Sequence, residues 1–200
     1  MISRPDLAVA VGVLSKFMSN NGLEHWKGVK RVFRYIQGTL DYGLVYTSDG
    51  SDPVLSGYCD ADWGSDLTTR RSTTGYVFQV EKNTVSWCSK RQNCVSKSTT
   101  ETEYVALSTA CQEGIWLRRL LDDISMTQHD PTVMFEDNQR AIQLSKIQKL
   151  HSRTKHIDLS YHYVREQVNQ NTVSVKYCAR KDMLADIMTK KLSKVQFQKL

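Results

Sequence analysis

The chain has 200 residues, of which 40% are hydrophobic, so it can bury one substantial core but is too short for two full-size domains. Its formal net charge of +6 favours a polyanionic partner, and five scattered cysteines without a Cys-x-x-Cys pair argue against a disulfide framework and a zinc site. We therefore expect an intracellular protein, cytoplasmic or nuclear, and no apolar run is long enough to predict a membrane span.

Two amphipathic helices are predicted at the N-terminus. Apolar residues recur at helical spacing from Leu7 to Met18, and the pattern resumes between Trp26 and Ile36, where Gly38 provides a stop. Lysines and arginines occupy the remaining face of the second helix. This basic face could contact a phosphate backbone, although a solvated surface is the more common role of such a face.

Beyond residue 41 the apolar pattern changes to the period of strands. Residues 42–46 are predicted as a short strand, and a second strand, which carries acids, starts at Val54. Two more strands, over 73–80 and 84–88, are separated by residues 81–83, which suit a hairpin turn. Consecutive strands with short connections predict an antiparallel meander.

The acid-bearing strand is the first candidate site. Alternation places Asp60 and Asp62 on the same side of the sheet as Tyr58. Crowded carboxylates repel one another and take up protons unless a cation neutralises them, so the pair suits a hard divalent metal ion. An acidic strand end that leads into a turn is the alternative, because Asp is also a common turn residue. Alternation alone does not distinguish Asp60 from Asp62.

A second candidate acid lies near the start of the longest predicted helix. Ser98 and Glu101 predict a capping box, and Glu103 lies four residues before Leu107 on the buried stripe of the helix. Glu103 is therefore either a metal ligand that faces the sheet or a second capping acid.

Two further acids follow later in the chain. Asp137 comes directly after a strand predicted over 132–135, at the strand end where α/β folds place their sites; the alternative is a cap for the next helix. Asp186 lies among apolar residues, although a lone Asp near a helix start is more often a surface residue. The remaining predicted elements are a helix through 157–168, a strand over 172–177 and a closing helix over 183–188.

The acids thus occur in the order strand, helix, strand end and closing helix, within a β-β-β-α-β-α-β-α sequence. Over nearly its whole length, the chain resembles the RNase H domain of copia-type retrotransposon Pol polyproteins. The blocks that carry the resemblance are 57–63, 71–76, 85–90, 98–106, 136–139, 155–158 with 161–166, and 184–190. It implies an α/β, RNase H-like fold with a mixed five-stranded sheet, three antiparallel strands and then parallel ones, flanked by helices after an N-terminal helix pair.

The resemblance also implies roles for individual residues, and it selects Asp60 over Asp62, which is left a supporting role. Four carboxylates without a histidine or cysteine partner suit two Mg²⁺ or Mn²⁺ ions. The implied catalytic and metal-binding residues are Asp60, Glu103, Asp137 and Asp186. The nucleic-acid-binding candidates are Asn138 and Gln139, beside the implied site, and Arg71, Lys90 and Arg91, from the basic clusters.

The first helices resemble the segment that joins reverse transcriptase to RNase H, which implies a connection segment over 1–47 and an RNase H-like domain over 48–200. The implied activity is metal-dependent endonucleolytic hydrolysis of the RNA strand of an RNA/DNA hybrid, with the reverse transcriptase of the same polyprotein as a second partner. The alternatives are a non-catalytic nucleic-acid-binding module, or a decayed or domesticated fragment. Four intact acids favour the nuclease, because a module kept only for structure has no use for crowded anions.

Overall fold

The computed structural model describes residues 3–48, 50, 53–66, 68–147 and 155–200, with side chains from residue 159 in the last range. Within these ranges five strands form one sheet: β1 Leu55–Asp62, β2 Thr73–Val80, β3 Asn83–Arg91, β4 Thr132–Glu136 and β5 Val173–Tyr177. The α-helices are α1 Ala8–Ser15, α2 Leu23–Gln37, α3 Thr99–Asp123, α4 Gln139–Lys146, α5 Lys155–Asn169 and α6 Lys194–Lys199. Short 3-10 helices cover Pro5–Leu7, Arg180–Asp182 and Leu184–Met188.

The sheet has the strand order β3-β2-β1-β4-β5. β1, β2 and β3 are antiparallel, whereas β4 runs parallel to β1 and β5 runs parallel to β4. The β2–β3 hairpin closes at Glu81 and Lys82, both with positive φ, as the tightest hairpin turns require. The mixed five-stranded sheet that the resemblance implies is therefore confirmed.

The main core lies between one face of the sheet and α3. Leu107 and Cys111 of α3 pack with Phe78 of β2 and Met134 of β4, and these side chains are fully buried. Val164 of α5 closes the same core. The buried stripe predicted for the longest helix is present, and it positions the first turns of α3 over β1.

A smaller apolar cluster covers the opposite face of the sheet. Val77 of β2 packs there with Ala8 of α1 and with Met188 of the 3-10 helix Leu184–Met188. Gly75 lies on the same face, where an added Cβ would come within 2.5 Å of Thr189 and 2.7 Å of Met188. Glycine at this position therefore allows the 3-10 helix to approach the sheet closely.

The strand predicted over 42–46 is wrong, because this segment has no strand pairing in the structure. Side chains tie it to the β2–β3 hairpin instead: the Tyr46 hydroxyl donates to the carbonyl of Thr84, and the Asn83 side chain bonds both backbone groups of Thr47. Val45 is 80% exposed. The apolar residues of this segment alternate along the chain, but the segment has no buried face on which they could pack.

Two N-terminal helices are present as predicted, and the Phe17 ring of the α1–α2 connection stacks on His25 of α2. The closing helix is a five-residue 3-10 helix rather than an α-helix. The boundary at residue 47 stays a prediction. Within the described ranges, no helix has both the length and the apolar composition needed to cross a membrane.

Candidate metal centre

Two of the four predicted acids meet because β1 and β4 are parallel neighbours. Tyr58 pairs with Phe135 in this ladder, so Asp60 and Asp137, each two residues further on, emerge side by side at the carboxyl ends of the strands. Asp60 is 1% exposed. The Asp137 carboxylate is also buried, and it forms an ion pair with the exposed Arg180 guanidinium at 3.1 Å.

Glu103 reaches the same point from α3. One oxygen from each of Asp60, Glu103 and Asp137 lies within 4.8 Å of the others, which is close enough for a shared cation. Ser98 caps the helix by accepting from the Glu101 amide, so Glu103 is not needed as a cap. Its buried Oε2 has no hydrogen-bond partner among the described residues.

The protein balances the negative charges at this point only in part. Burial raises the pKa of Glu103, and the carboxylates of Glu136, Asp60 and Asp137 raise it further. An unpartnered buried carboxylate oxygen among other acids is unfavourable, and a divalent cation would relieve both the burial and the repulsion. The donors are all carboxylate oxygens, which fit Mg²⁺ or Mn²⁺ rather than zinc.

The fourth acid, Asp186, is buried on the 3-10 helix Leu184–Met188, contrary to the surface position that is more usual for such a residue. It meets Asp60 through Lys190, whose Nζ lies 2.7 Å from Asp60 Oδ1 and 2.7 Å from Asp186 Oδ1. These two oxygens are thus no more than twice that distance apart. The structure therefore brings all four predicted acids together, three directly and Asp186 through a lysine.

Thr189 and Lys190 are site residues that the sequence reasoning missed. The Thr189 hydroxyl donates a hydrogen bond to Asp60 Oδ2, while Lys190 contacts Oδ1, so both oxygens of Asp60 have partners. Lys190 stands four residues after Asp186, the spacing of neighbouring side chains on a helix, and this spacing could have identified it.

Glu136 was missed as well. It is fully buried, its Oε1 accepts the Asn138 amide, and its Oε2 lies 3.2 Å from the Cys59 sulfur. Burial raises the pKa of Glu136, and the negative charges of Asp137 and Asp60 raise it further. The hydrogen bonds from Asn138 and Cys59 lower this pKa, but burial has the larger effect. Alternation along β4 buries Thr132, Met134 and Glu136 together, so the pattern did contain this information.

Asp62 lies at the end of β1 and is half-buried, outside the group of three acids whose oxygens converge. Burial raises its pKa, Lys190 opposes the rise, and Asp60 adds to it. The supporting role that the resemblance implies for Asp62 stays a prediction.

The predicted nucleic-acid contacts lie around the same end of the sheet. Asn138 caps α4 by accepting from the amides of Arg140 and Ala141, so its side-chain oxygen has a structural role, and Gln139 is exposed at the first position of α4. A nucleic-acid role for Asn138 and Gln139 stays a prediction.

The basic candidates are only partly available. Lys90 is exposed at the end of β3, and Arg71 is half-buried just before β2. Arg91 donates to Asp66 at 2.9 Å, so part of its charge is used within the protein. Arg118, from another basic cluster, binds the backbone of Gln128 and Asp130. Most of the basic stretch over 146–155 lies outside the described residues.

Comparison with known proteins places the chain among transposon polyproteins. No protein-family model matches it. It is 44% identical over 196 residues to the retrovirus-related Pol polyprotein from transposon TNT 1-94 of Nicotiana tabacum, and 39% identical over 196 residues to that from transposon RE2 of Arabidopsis thaliana. Each match covers 98% of the chain, which spans only 14% and 13% of the lengths of these polyproteins.

The fold has a solved counterpart. The crystal structure of LC11-RNase H1 in complex with RNA/DNA hybrid matches with a TM-score of 0.51 and 14% sequence identity, over 68% of this chain and 93% of that one. Together with the strand order, this match shows that the sheet and its flanking helices form an RNase H-like fold.

Proposed function

The chain belongs to the family of retrovirus-related Pol polyproteins of transposons, and we propose that it is the copia-type ribonuclease H module of such a polyprotein, which hydrolyses the RNA strand of RNA/DNA hybrids. The observation that carries this proposal is the convergence of Asp60, Glu103 and Asp137, within 4.8 Å, at the carboxyl end of the central strands. Asp186 and Lys190 complete the cluster.

The acids are proposed to hold two Mg²⁺ or Mn²⁺ ions. Bound ions of this kind supply an activated water on one side of a scissile phosphate and stabilise the leaving oxygen on the other. Asp60, buried on the central strand β1, and Glu103, which has an unpartnered oxygen, would be among the residues that hold the ions. Thr189 orients Asp60 through its hydroxyl.

Binding of the hybrid is proposed to use the basic residues at the same end of the sheet. Lys90 pairs with Thr74 in the β2–β3 ladder, and the neighbouring Gly75 pairs with Asp60 in the β1–β2 ladder. The Lys90 backbone therefore lies two strand spacings, roughly 10 Å, from β1. Phosphate contacts by Lys90, Arg71 and Arg91 would make affinity fall steeply with salt. Selection of the RNA strand would depend on its 2′-hydroxyl groups.

The N-terminal helix pair is proposed to be the connection from the reverse transcriptase of the same polyprotein, with residue 47 as its end. Helix α2 has no buried residue, and Leu23, Trp26 and Phe33 are each more than half exposed. An amphipathic helix with its aromatic residues exposed suits contact with another part of a polyprotein. We also propose an intracellular setting, in the cytoplasm or nucleus, because five scattered cysteines without a Cys-x-x-Cys pair suit a reducing compartment.

The proposal is tested with an end-labelled RNA strand annealed to DNA. We expect cleavage products with Mg²⁺ or Mn²⁺ and none with a chelator, while the same RNA alone and the corresponding DNA duplex stay intact. Asp137→Asn should abolish cleavage but retain hybrid binding, because the change removes a ligand charge and keeps the shape.

Two results would contradict the nuclease. A folded protein that binds the hybrid without cutting it, with either metal ion, would be a non-catalytic nucleic-acid-binding module. A folded protein that neither binds nor cuts the hybrid would be a decayed fragment.

A further inference from the structure

Lys190 occupies the space between two buried acids of the site. Its Nζ lies 2.7 Å from Asp60 Oδ1 and 2.7 Å from Asp186 Oδ1, and the Asp60 carboxylate is fully buried. The Lys190 side chain is 31% exposed, so its ammonium points inward while part of its stem contacts solvent. The next residue, Lys191, is exposed and has no ion pair within the described ranges.

This arrangement differs from an ordinary surface ion pair. A surface lysine gains little from one carboxylate because water screens the charge and the side chain loses freedom. Lys190 instead binds two carboxylates of low exposure, and Thr189 holds the second oxygen of Asp60. The lysine supplies one positive charge for two negative ones, and it thereby reduces the repulsion between Asp60 and Asp186 when no metal is bound.

A divalent ion that bridges Asp60 and Asp186 needs the same space. Mg²⁺ binds oxygen at roughly 2.0–2.1 Å, closer than the ammonium does, and it would have to share the oxygens that Lys190 now contacts. Two cations cannot both lie between one pair of oxygens, because they would repel each other at very short range. The flexible lysine stem lets the ammonium leave without a change in the backbone.

We propose that Lys190 is a built-in counter-cation of the metal centre: it holds Asp60 and Asp186 together, and a divalent ion that binds both of these acids must displace it. Lys190 is thus a positioning residue that lowers metal affinity and stabilises the paired acids before an ion binds. This inference rests on the proposed function, because it requires that the acids bind a divalent ion.

The first test measures binding of Mn²⁺ alone, by electron paramagnetic resonance of the free ion, to the parent, to Lys190→Gln and to Lys191→Gln. The second variant loses the same net charge from the neighbouring exposed position. We expect Lys190→Gln to bind Mn²⁺ at least about tenfold more tightly than Lys191→Gln, at the lower end of the changes that groups around metal sites cause. Lys190→Arg, which keeps the charge, should bind more like the parent.

The same variants should differ in stability in the opposite sense. Without metal, Lys190→Gln is expected to melt at a lower temperature than Lys191→Gln, and Mn²⁺ should restore more of the loss. Equal Mn²⁺ affinity of the two variants, or weaker binding by Lys190→Gln, would overturn the inference and leave the proposed function standing. Absence of Mn²⁺ binding in all proteins would overturn both.

A second measurement needs no variant and covers the case in which Lys190→Gln does not fold. Amine-reactive labelling of the parent, read by mass spectrometry, reports the accessibility of Lys190, with Lys191 as the internal reference. Mg²⁺ should raise the labelling of Lys190 relative to Lys191 several-fold, because the displaced ammonium enters solvent. Unchanged or reduced labelling at a Mg²⁺ concentration that shifts the melting temperature would contradict displacement.

Discussion

Two carboxylates at the same end of the sheet, Asp66 and Glu103, have the same exposed fraction of 8% but opposite surroundings. Asp66 Oδ2 lies 2.9 Å from Arg91 and 3.2 Å from Lys16, and the Arg91 guanidinium lowers the pKa of Asp66 far below its ordinary value, against the effect of burial. Glu103 has no cation partner in the described chain, and burial raises its pKa.

The comparison shows that burial alone does not identify a site acid. Asp66 joins the β1–β2 connection to β3 and to α1 through its two cations, and its other oxygen accepts the backbone amides of Thr68 and Thr69. Its hydrogen-bonding capacity is used within the protein. Glu103 has the same small exposed fraction, but no described residue gives its buried Oε2 a partner, which is the situation expected of an acid that binds a cation.

The largest expected difference between the two acids is in catalysis. Glu103→Gln should reduce hybrid cleavage on the order of a hundredfold or more, since it removes a ligand charge from the metal centre and keeps the side-chain shape. Asp66→Asn should reduce cleavage much less, because Asp66 contacts no residue of the acid cluster. Initial rates on labelled hybrid, at a temperature where both variants are folded, check this. Equal losses would mean that Glu103 has no special role.

The two substitutions should also change stability in opposite directions. In metal-free buffer, Glu103→Gln is expected to raise the free energy of unfolding, because it removes repulsion between buried acids. Asp66→Asn is expected to lower it by about 1–3 kcal/mol, since it weakens charged hydrogen bonds and leaves Arg91 and Lys16 with less compensation. Urea unfolding with a chelator measures both values. A loss of stability in Glu103→Gln would contradict the assignment of unbalanced charge.

The smallest effect is a difference in pH dependence. Folding raises the pKa of Glu103 above its ordinary value of 4.5. The contribution of Glu103 to stability is therefore complete below pH 4.5 and is lost as the pH rises toward the pKa of Glu103 in the folded protein. The pKa of Asp66 is lowered from 3.8, so its contribution is present above that pH and is lost on acidification.

Unfolding measured across this range should therefore separate the two residues. Without metal, Glu103→Gln should flatten the decline of stability above pH 4.5, and Asp66→Asn should flatten the decline in acid. Mg²⁺ should reduce the first decline and leave the second unchanged. If Glu103→Gln flattened the decline in acid and Asp66→Asn flattened the decline above pH 4.5, other groups would control these two declines.

Local patterns predicted most of the elements because their apolar residues face a large buried surface. The stripe on α3 and the alternation in β1 and β2 are examples, since each packs into the main core. Residues 42–46 alternate in the same way but lie on the surface, where the Tyr46 hydroxyl donates to the Thr84 carbonyl of the β2–β3 hairpin and no strand pairs with the segment. The closing helix was correct in place but is a 3-10 helix, held close to the sheet by Gly75.

The sequence by itself predicted the order of most elements and the antiparallel first strands, and its motif blocks carried the resemblance that implies the parallel strands and the four candidate acids, because periodicity and motif blocks are local properties of the chain. It did not distinguish Asp60 from Asp62 without the resemblance, and it did not predict that Lys190 and Thr189 hold Asp60 or that Glu136 lies beneath the cluster. Those contacts join residues up to 130 positions apart. Only the packing of the Leu184–Met188 helix, β1, β4 and α3 decides them, since the partner of a buried charge depends on which elements meet in space.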